Sequence, residues 1–115
     1  MIGIITHNEI IGSHYWKDAP EKYKYLRNPH RHVFTIRCKF EVSHEDREIE
    51  INHMQDLIYE DICARFCDCD DLGAGVDFGG MSCEQIAQWC IDYFGCTECE
   101  VLEDGFGGAY ARNQH

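Results

Sequence analysis

The stretch NPHRHVFTIRCKFEVS, residues 28 to 43, decides the fold. From Val33 to Ser43 the residues alternate, with Phe34, Ile36, Cys38, Phe40 and Val42 on one face. Val33, Thr35, Arg37, Lys39, Glu41 and Ser43 take the other. A two-residue period of this kind marks a half-buried β-strand. The same period puts His30 and His32 on one face at the mouth of the strand. Spacing alone leaves two readings of them, a solvated polar face or a pair of metal ligands.

Working outward, residues 2–11 form an Ile-rich first strand that runs into GSH and ends at His14. Between the two strands lie fifteen polar and aromatic residues, YWKDAPEKYKYLRNP, which carry both prolines and read as a long functional loop. After the second strand, SHED reads as a turn and REIEI as a return strand, with Ile49 and Ile51 continuing the alternation. Met54, Leu57, Ile58, Ile62 and Phe66 then recur at helical spacing. CDCDDLGAGVDFGG breaks the pattern. Ser82 and Gln85 next offer a capping box for a second helix, whose apolar stripe is Ile86, Ala87, Cys90, Ile91 and Phe94 and which Gly95 stops. TECEVLED and GGAYA supply two closing strands around the DGFGG turn. The order is strand, strand pair, helix, helix, strand, strand, which predicts an α+β protein with an antiparallel sheet and helices packed on one face.

The chain has 115 residues and an apolar share of 44%, enough for one domain, residues 1–115, with its own core. A net charge of −11 argues against a nucleic-acid partner, whose phosphates need a basic surface. The first residues, MIGIITHNEIIGSH, lack a basic segment and a long apolar run, so neither export nor membrane insertion is expected. A cytoplasmic location follows, and with it eight cysteines kept as thiols. Zinc commonly takes three protein ligands in a catalytic site. If the first two strands pair antiparallel across the long loop, His14 meets His30 and His32 at one end of the sheet.

With those residues placed, nearly the whole chain resembles the 6-pyruvoyltetrahydropterin synthase and 6-carboxytetrahydropterin synthase family. GSH supplies His14; HRH supplies His30 and His32, with Arg31 where the family has Gly. SCEQIAQW resembles the family's helix-opening Thr-Ser-Glu-Asn motif, and VLED puts Glu103 where the pterin-holding glutamate lies. The resemblance implies a two-layer T-fold, ββααββ, with a four-stranded antiparallel sheet and two helices on one face. It also implies Zn2+ on His14, His30 and His32, a ligand held by Glu103 with Cys83 and Glu84 beside it, and a homo-oligomer, hexamer or tetramer. One carboxylate suits the amide and amine edge of a pterin or purine, because it accepts from two N–H groups at once. Glu84 also has a structural role available, as a first-turn acid favouring the helix N-terminus.

Two parts of the family pattern are missing. Its enzymes use a cysteine shortly before the histidine pair, and APEKYKYLRNPHRH has none. They also use an Asp-His pair where this chain has CDCDDLGAGVDFGG, which offers Asp70, Asp71 and Asp77 but no histidine. His53, Tyr25 and Lys24 are the candidates to replace that chemistry, with Tyr23 and His44 behind them. Two function readings result. One is a 6-carboxytetrahydropterin synthase-like lyase acting on dihydroneopterin triphosphate on the way to 7-deazaguanines. The other is an inactive T-fold protein that sequesters a pterin, a purine or a nucleotide signal. Separately, Cys63, Cys67 and Cys69 with the C-x-x-C of Cys96 and Cys99 form a candidate second metal set. Cys38 and Cys90 fit as small buried hydrophobes on their apolar faces.

Overall fold

The computed structural model describes residues 1–67 and 75–113. Strand β1 spans Ile2–His14, a 3-10 helix Glu21–Arg27, β2 His30–Val42, α1 Ile51–Arg65, β3 Val76–Asp77, α2 Cys83–Phe94, β4 Glu98–Glu103 and β5 Gly107–Arg112. The class is α+β, as the alternation and the two helical stripes predict. The sheet is larger than expected: five strands in the order β3-β1-β2-β4-β5. Four of them are antiparallel, and the two-residue β3 adds to β1 in parallel, which makes the sheet mixed. The long loop is also partly ordered as the 3-10 helix, tied back by Trp16 N–H to the Leu26 carbonyl at 2.8 Å.

REIEI is not a return strand. Residues 47–50 carry no strand, and Ile51 opens α1. Both edges of β2 are already occupied, by β1 on one side and β4 on the other, so a return strand has nowhere to pair. The segment caps the helix instead, with the Glu50 carboxylate accepting from the His53 N–H. The second helix begins as predicted, with both halves of the capping box between Ser82 and Gln85 formed. It ends at Gly95, whose φ of 75° is left-handed and costs glycine little.

The alternating face of β2 is the centre of the core. Phe34, Ile36, Cys38 and Phe40 are buried on it, covered by Ile58 and Ile62 of α1 and by Ile86, Ala87, Cys90 and Ile91 of α2. Each of the Phe and Ile side chains among them contributes about 1.5–3 kcal/mol through burial. β1 matches this row residue by residue, Thr6 opposite Cys38, Asn8 opposite Ile36 and Ile10 opposite Phe34. Two steps further on, the same core-facing row becomes Gly12 opposite His32, and then His14 opposite His30. The fold therefore carries the histidines as the polar end of its hydrophobic core. Gly12 is needed there, since a Cβ would lie 2.8 Å from Val76 Cγ2 where β3 crosses. Among the described residues no helix is long and apolar enough to cross a membrane.

Candidate metal centre

His14, His30 and His32 converge as the antiparallel pairing predicts. Their ligand atoms all lie within 4.8 Å of one another, and the cluster could hold a metal ion. His14 is buried, the other two half-buried, and Phe34 packs edge-on beneath His14 and His32 at ring-centroid distances of 5.1 and 5.6 Å.

The hydrogen bonds fix which nitrogen of each ring is available. His14 Nδ1 lies 3.0 Å from the Met81 carbonyl and His30 Nδ1 3.0 Å from the Asn28 carbonyl. A carbonyl only accepts, so both rings carry their proton on Nδ1 and present a bare Nε2. His32 Nδ1 lies 2.7 Å from the Asp104 carboxylate, which leaves Nε2 as its lone-pair nitrogen as well. Buried Nε2 atoms of His14 and His32 have no hydrogen-bond partner. Orphaned acceptors of this kind are costly unless something fills the site. Burial lowers the pKa of His14, ahead of the raising effect of the Met81 carbonyl, and so favours the neutral ring that ligates a cation. Three imidazoles oriented through Nδ1–H contacts to carbonyls and a carboxylate have the second layer that metal-binding histidines ordinarily show.

Two neighbouring acids complete the electrostatics. Glu103, at the end of β4, sets one oxygen 3.1 Å from His14 Nε2 and the other 3.4 Å from His32 Nε2. It therefore faces the bare nitrogens as well as the cavity. Cys83, in the first turn of α2, donates its thiol to Glu103 at 3.3 Å. Burial, and then the Glu103 contact, push that thiol up to about 12, so Cys83 is a proton donor here and not a nucleophile. Asp104 adopts φ 55°, accepts from the Val33 N–H at 2.8 Å and holds His32. The hydrogen bond from His32 keeps its carboxyl below the usual range, hence ionised.

The cluster forms one wall of a cavity of about 650 Å3, within the ordinary range for small-molecule sites. Glu103, Cys83 and Glu84 line it, as do Tyr15, Trp16 and Phe106. Trp16 is half exposed and Phe106 90% exposed, so both offer flat faces at the rim. The candidate substitutes for the missing acid–base groups are elsewhere. Tyr25 and Tyr23 are exposed on the 3-10 helix, Lys24 pairs with Glu21, His44 pairs with Glu48, and His53 is in the first turn of α1; none lines the cavity.

Among the described residues, the members of the proposed cysteine set do not come together as a metal-holding group. Cys96 and Cys99 are fully buried in the core with Cys38 and Cys90, Cys63 is half-buried on α1, and Cys67 is exposed. Cys69, Asp70 and Asp71 lie outside the described residues, while Asp77 caps a turn by accepting from the Gly79 N–H at 2.7 Å. Asp104, Tyr15, Trp16 and Phe106 escaped the reading of the sequence. Tyr15 and Trp16 open the loop read as functional, and Asp104 directly follows Glu103 in VLED, but Phe106 left no signal.

Fold and site together define an α+β protein with a three-histidine centre able to hold a metal ion beside a ligand-sized cavity. No protein-family model matches the chain, and no curated protein matches it in sequence.

Proposed function

We propose that the chain is a T-fold protein of the 6-carboxytetrahydropterin synthase type, with zinc on His14, His30 and His32 and a reduced pterin as the ligand of the adjoining cavity. The observation that carries this is the convergence of the three imidazoles, each with its Nδ1 within hydrogen-bond distance of an oxygen acceptor, which leaves the Nε2 side of the rings, shared with Glu103, to face a cation. Three histidine nitrogens suit zinc, which accepts imidazole and keeps a further position open in catalytic sites. Zinc bound there supplies Lewis acidity towards the oxygens of the ligand's side chain. Glu103, with its side chain 34% exposed, accepts from the amide and amine edge of the ring. The Cys83 thiol holds that carboxylate in place, and Trp16 and Phe106 stack on the heterocycle. In this reading dihydroneopterin triphosphate is the substrate and the reaction is a carbon–oxygen lyase step in 7-deazaguanine supply. The sheet face opposite the helices leaves Ile5, Ile11 and Val33 about half exposed, which supports a homo-oligomer, hexamer or tetramer, closed over that face.

A second reading has an observation of its own. Among the described residues lining the cavity, the only thiol is the protonated Cys83 and the only imidazoles are those of His14, His30 and His32. Among the described residues no Lys or Arg lines it. That favours a protein that binds and sequesters a pterin, purine or nucleotide without converting it. Zinc-loaded protein incubated with dihydroneopterin triphosphate and followed by liquid chromatography with mass spectrometry separates the two. Loss of the triphosphate with a new reduced pterin, abolished in His32→Ala, supports the enzyme. Unchanged ligand retained at one per site, and released in Glu103→Ala, supports the binder. Substrate neither converted nor retained overturns the pterin assignment.

A further inference from the structure

The row of the sheet that carries Glu103 ends on bare backbone. Ile10, Phe34, Glu103 and Gly107 are directly opposed across β1, β2, β4 and β5, so their side-chain positions share one face. Ile10 and Phe34 are buried in the core, while Glu103 and Gly107 line the cavity. The other glycines of the DGFGG turn are required where they stand. Gly105 has a left-handed φ of 75°, and a Cβ on Gly108 would run into the Val101 carbonyl. Gly107 meets neither condition, and a Cβ there would have nothing within 4 Å. Among the described glycines only Gly80 is equally unconstrained, since its Cβ would rest on the Tyr15 ring at an ordinary 3.5 Å. Both of these glycines line the cavity. Close packing of a helix does not account for Gly107 either. Ala109 and Ala111 continue its face along β5 and pack against the core, whereas the space over Gly107 is open. A glycine within a strand lowers its stability and marks a place where another group comes close to the backbone.

We propose that Gly107 is a specificity-determining residue of the cavity: a flat bicyclic heterocycle lies across its bare backbone, with one edge turned to the Glu103 carboxylate. The inference rests on the reading of Glu103 as the group that holds the ring's amide and amine edge. Directly opposed positions on neighbouring strands stand about 5 Å apart, so a ring over Gly107 is within reach of Glu103. On the opposite flank of Glu103 the corresponding space is filled by the Phe34 ring, which makes the Gly107 side the open one. A ring needs about 3.5–4 Å between its atoms and the surface it covers, and a bare backbone provides that gap where a side chain would occupy it. The aromatic faces of Trp16 and Phe106 at the rim suit a flat ring better than a flexible chain. Glycine at 107 is therefore a concession by the fold to the ligand, and any larger residue restores the strand and closes the space.

Opposite signs in stability and binding test this. The full chain, Gly107→Ala and Gly107→Val are compared by urea denaturation without ligand and by isothermal titration with dihydroneopterin and with guanine. Both probes are unphosphorylated, so charge repulsion does not enter. The urea midpoint of each variant should equal or exceed that of the parent, because the new residue narrows the unfolded ensemble without strain in the strand. Affinity for whichever ring the parent binds should fall modestly in Gly107→Ala and by about 10–100-fold in Gly107→Val. A residue with a merely structural role would not raise stability while lowering affinity. A lowered midpoint in Gly107→Ala, or a Gly107→Val chain that does not fold, overturns the proposal, since the fold would then require glycine there. Equal affinity of parent and Gly107→Val for dihydroneopterin also overturns it, and leaves the pterin reading intact. Binding of guanine alone by the parent, lost in Gly107→Val, supports the role of Gly107 and removes the pterin reading. A parent that binds neither ring overturns the proposal.

Discussion

Replacing Asp104 by Asn tests the metal centre without touching a ligand. Asp104 meets two donors at once, the Val33 N–H at 2.8 Å and the His32 Nδ1–H at 2.7 Å. An ionised carboxylate has an acceptor for each; an Asn amide has one oxygen, and turns an NH2 group towards the other donor. The substitution is otherwise conservative, since Asn tolerates the left-handed φ of 55° that Asp104 adopts. Either the His32 ring loses its anchor and rotates, or it keeps a neutral contact in place of a charge-assisted one and becomes a poorer base towards the metal. Loss of such a supporting group costs about 10–100-fold in metal affinity. Zinc affinity measured by competition with a chromophoric chelator should weaken by that factor in Asp104→Asn, with thermal stability of the metal-free protein nearly unchanged. Affinity within about twofold of the parent would refute the idea that Asp104 orients His32 for coordination.

Three further outcomes concern stability. Ser82→Ala removes the side chain that accepts from the Gln85 N–H at the start of α2, and should cost about 1 kcal/mol, read as a lowered urea midpoint with an unaltered slope. Phe34→Ala empties a fully buried ring position that also supports His14 and His32; a loss of about 3–5 kcal/mol in chemical denaturation is expected, with Phe34→Leu much milder. Glu98 accepts from Lys39 at 3.1 Å and Arg112 at 3.4 Å, and the Lys39 contact, followed by that of Arg112, holds its carboxyl below the usual range. A depressed carboxyl contributes stability that is complete above its unfolded pKa, near 4.3, and is lost as pH falls through the lower folded value. Glu98→Gln should therefore cost no more than about 1 kcal/mol at neutral pH and flatten the acid limb of the stability profile; an unchanged acid limb would remove Glu98 from the acid response.

The parts of the molecule that were legible in the sequence are those governed by local period and local chemistry. Alternation from Val33 to Ser43 set the face of β2, and with it the row in which His30 and His32 continue Phe34, Ile36 and Cys38. The Ser82–Gln85 box and Gly95 marked both ends of α2, because caps are made by neighbouring residues. What local period could not convey was competition for partners. Ile49 and Ile51 alternate as a strand would, but β2 has both edges filled, and Ile49 packs against the core from an irregular segment. β3 is two residues long and exists only because Gly12 lets Val76 approach. Asp104 was hidden for a related reason. Strict alternation sends it away from Glu103, whereas its left-handed backbone turns it back under His32. The C-x-x-C was visible, but its partners were set by register across the sheet, which put Cys99 opposite Cys38.

Charge separates the two functional readings more sharply than shape does. Glu84, Glu103 and Asp104 line the cavity, and among its described residues there is no Lys or Arg. A divalent ion on the histidines would bring two positive charges against three carboxylates, and the site would stay anionic in a chain that already carries −11. A triphosphate would enter that field at a Coulombic cost unless cations came from outside the cavity, from the loop lysines or from a neighbouring copy of the chain. On the enzyme reading, conversion of dihydroneopterin triphosphate would require assembly: specific activity should then fall as the protein is diluted, and should be sensitive to salt. A binder made by one copy alone has the opposite preference. It should hold unphosphorylated dihydroneopterin at least as tightly as the triphosphate, at every protein concentration, by isothermal titration. Tighter binding of the triphosphate to a species that sediments as a monomer would contradict this charge argument, because nothing among the described residues of one cavity neutralises the phosphates.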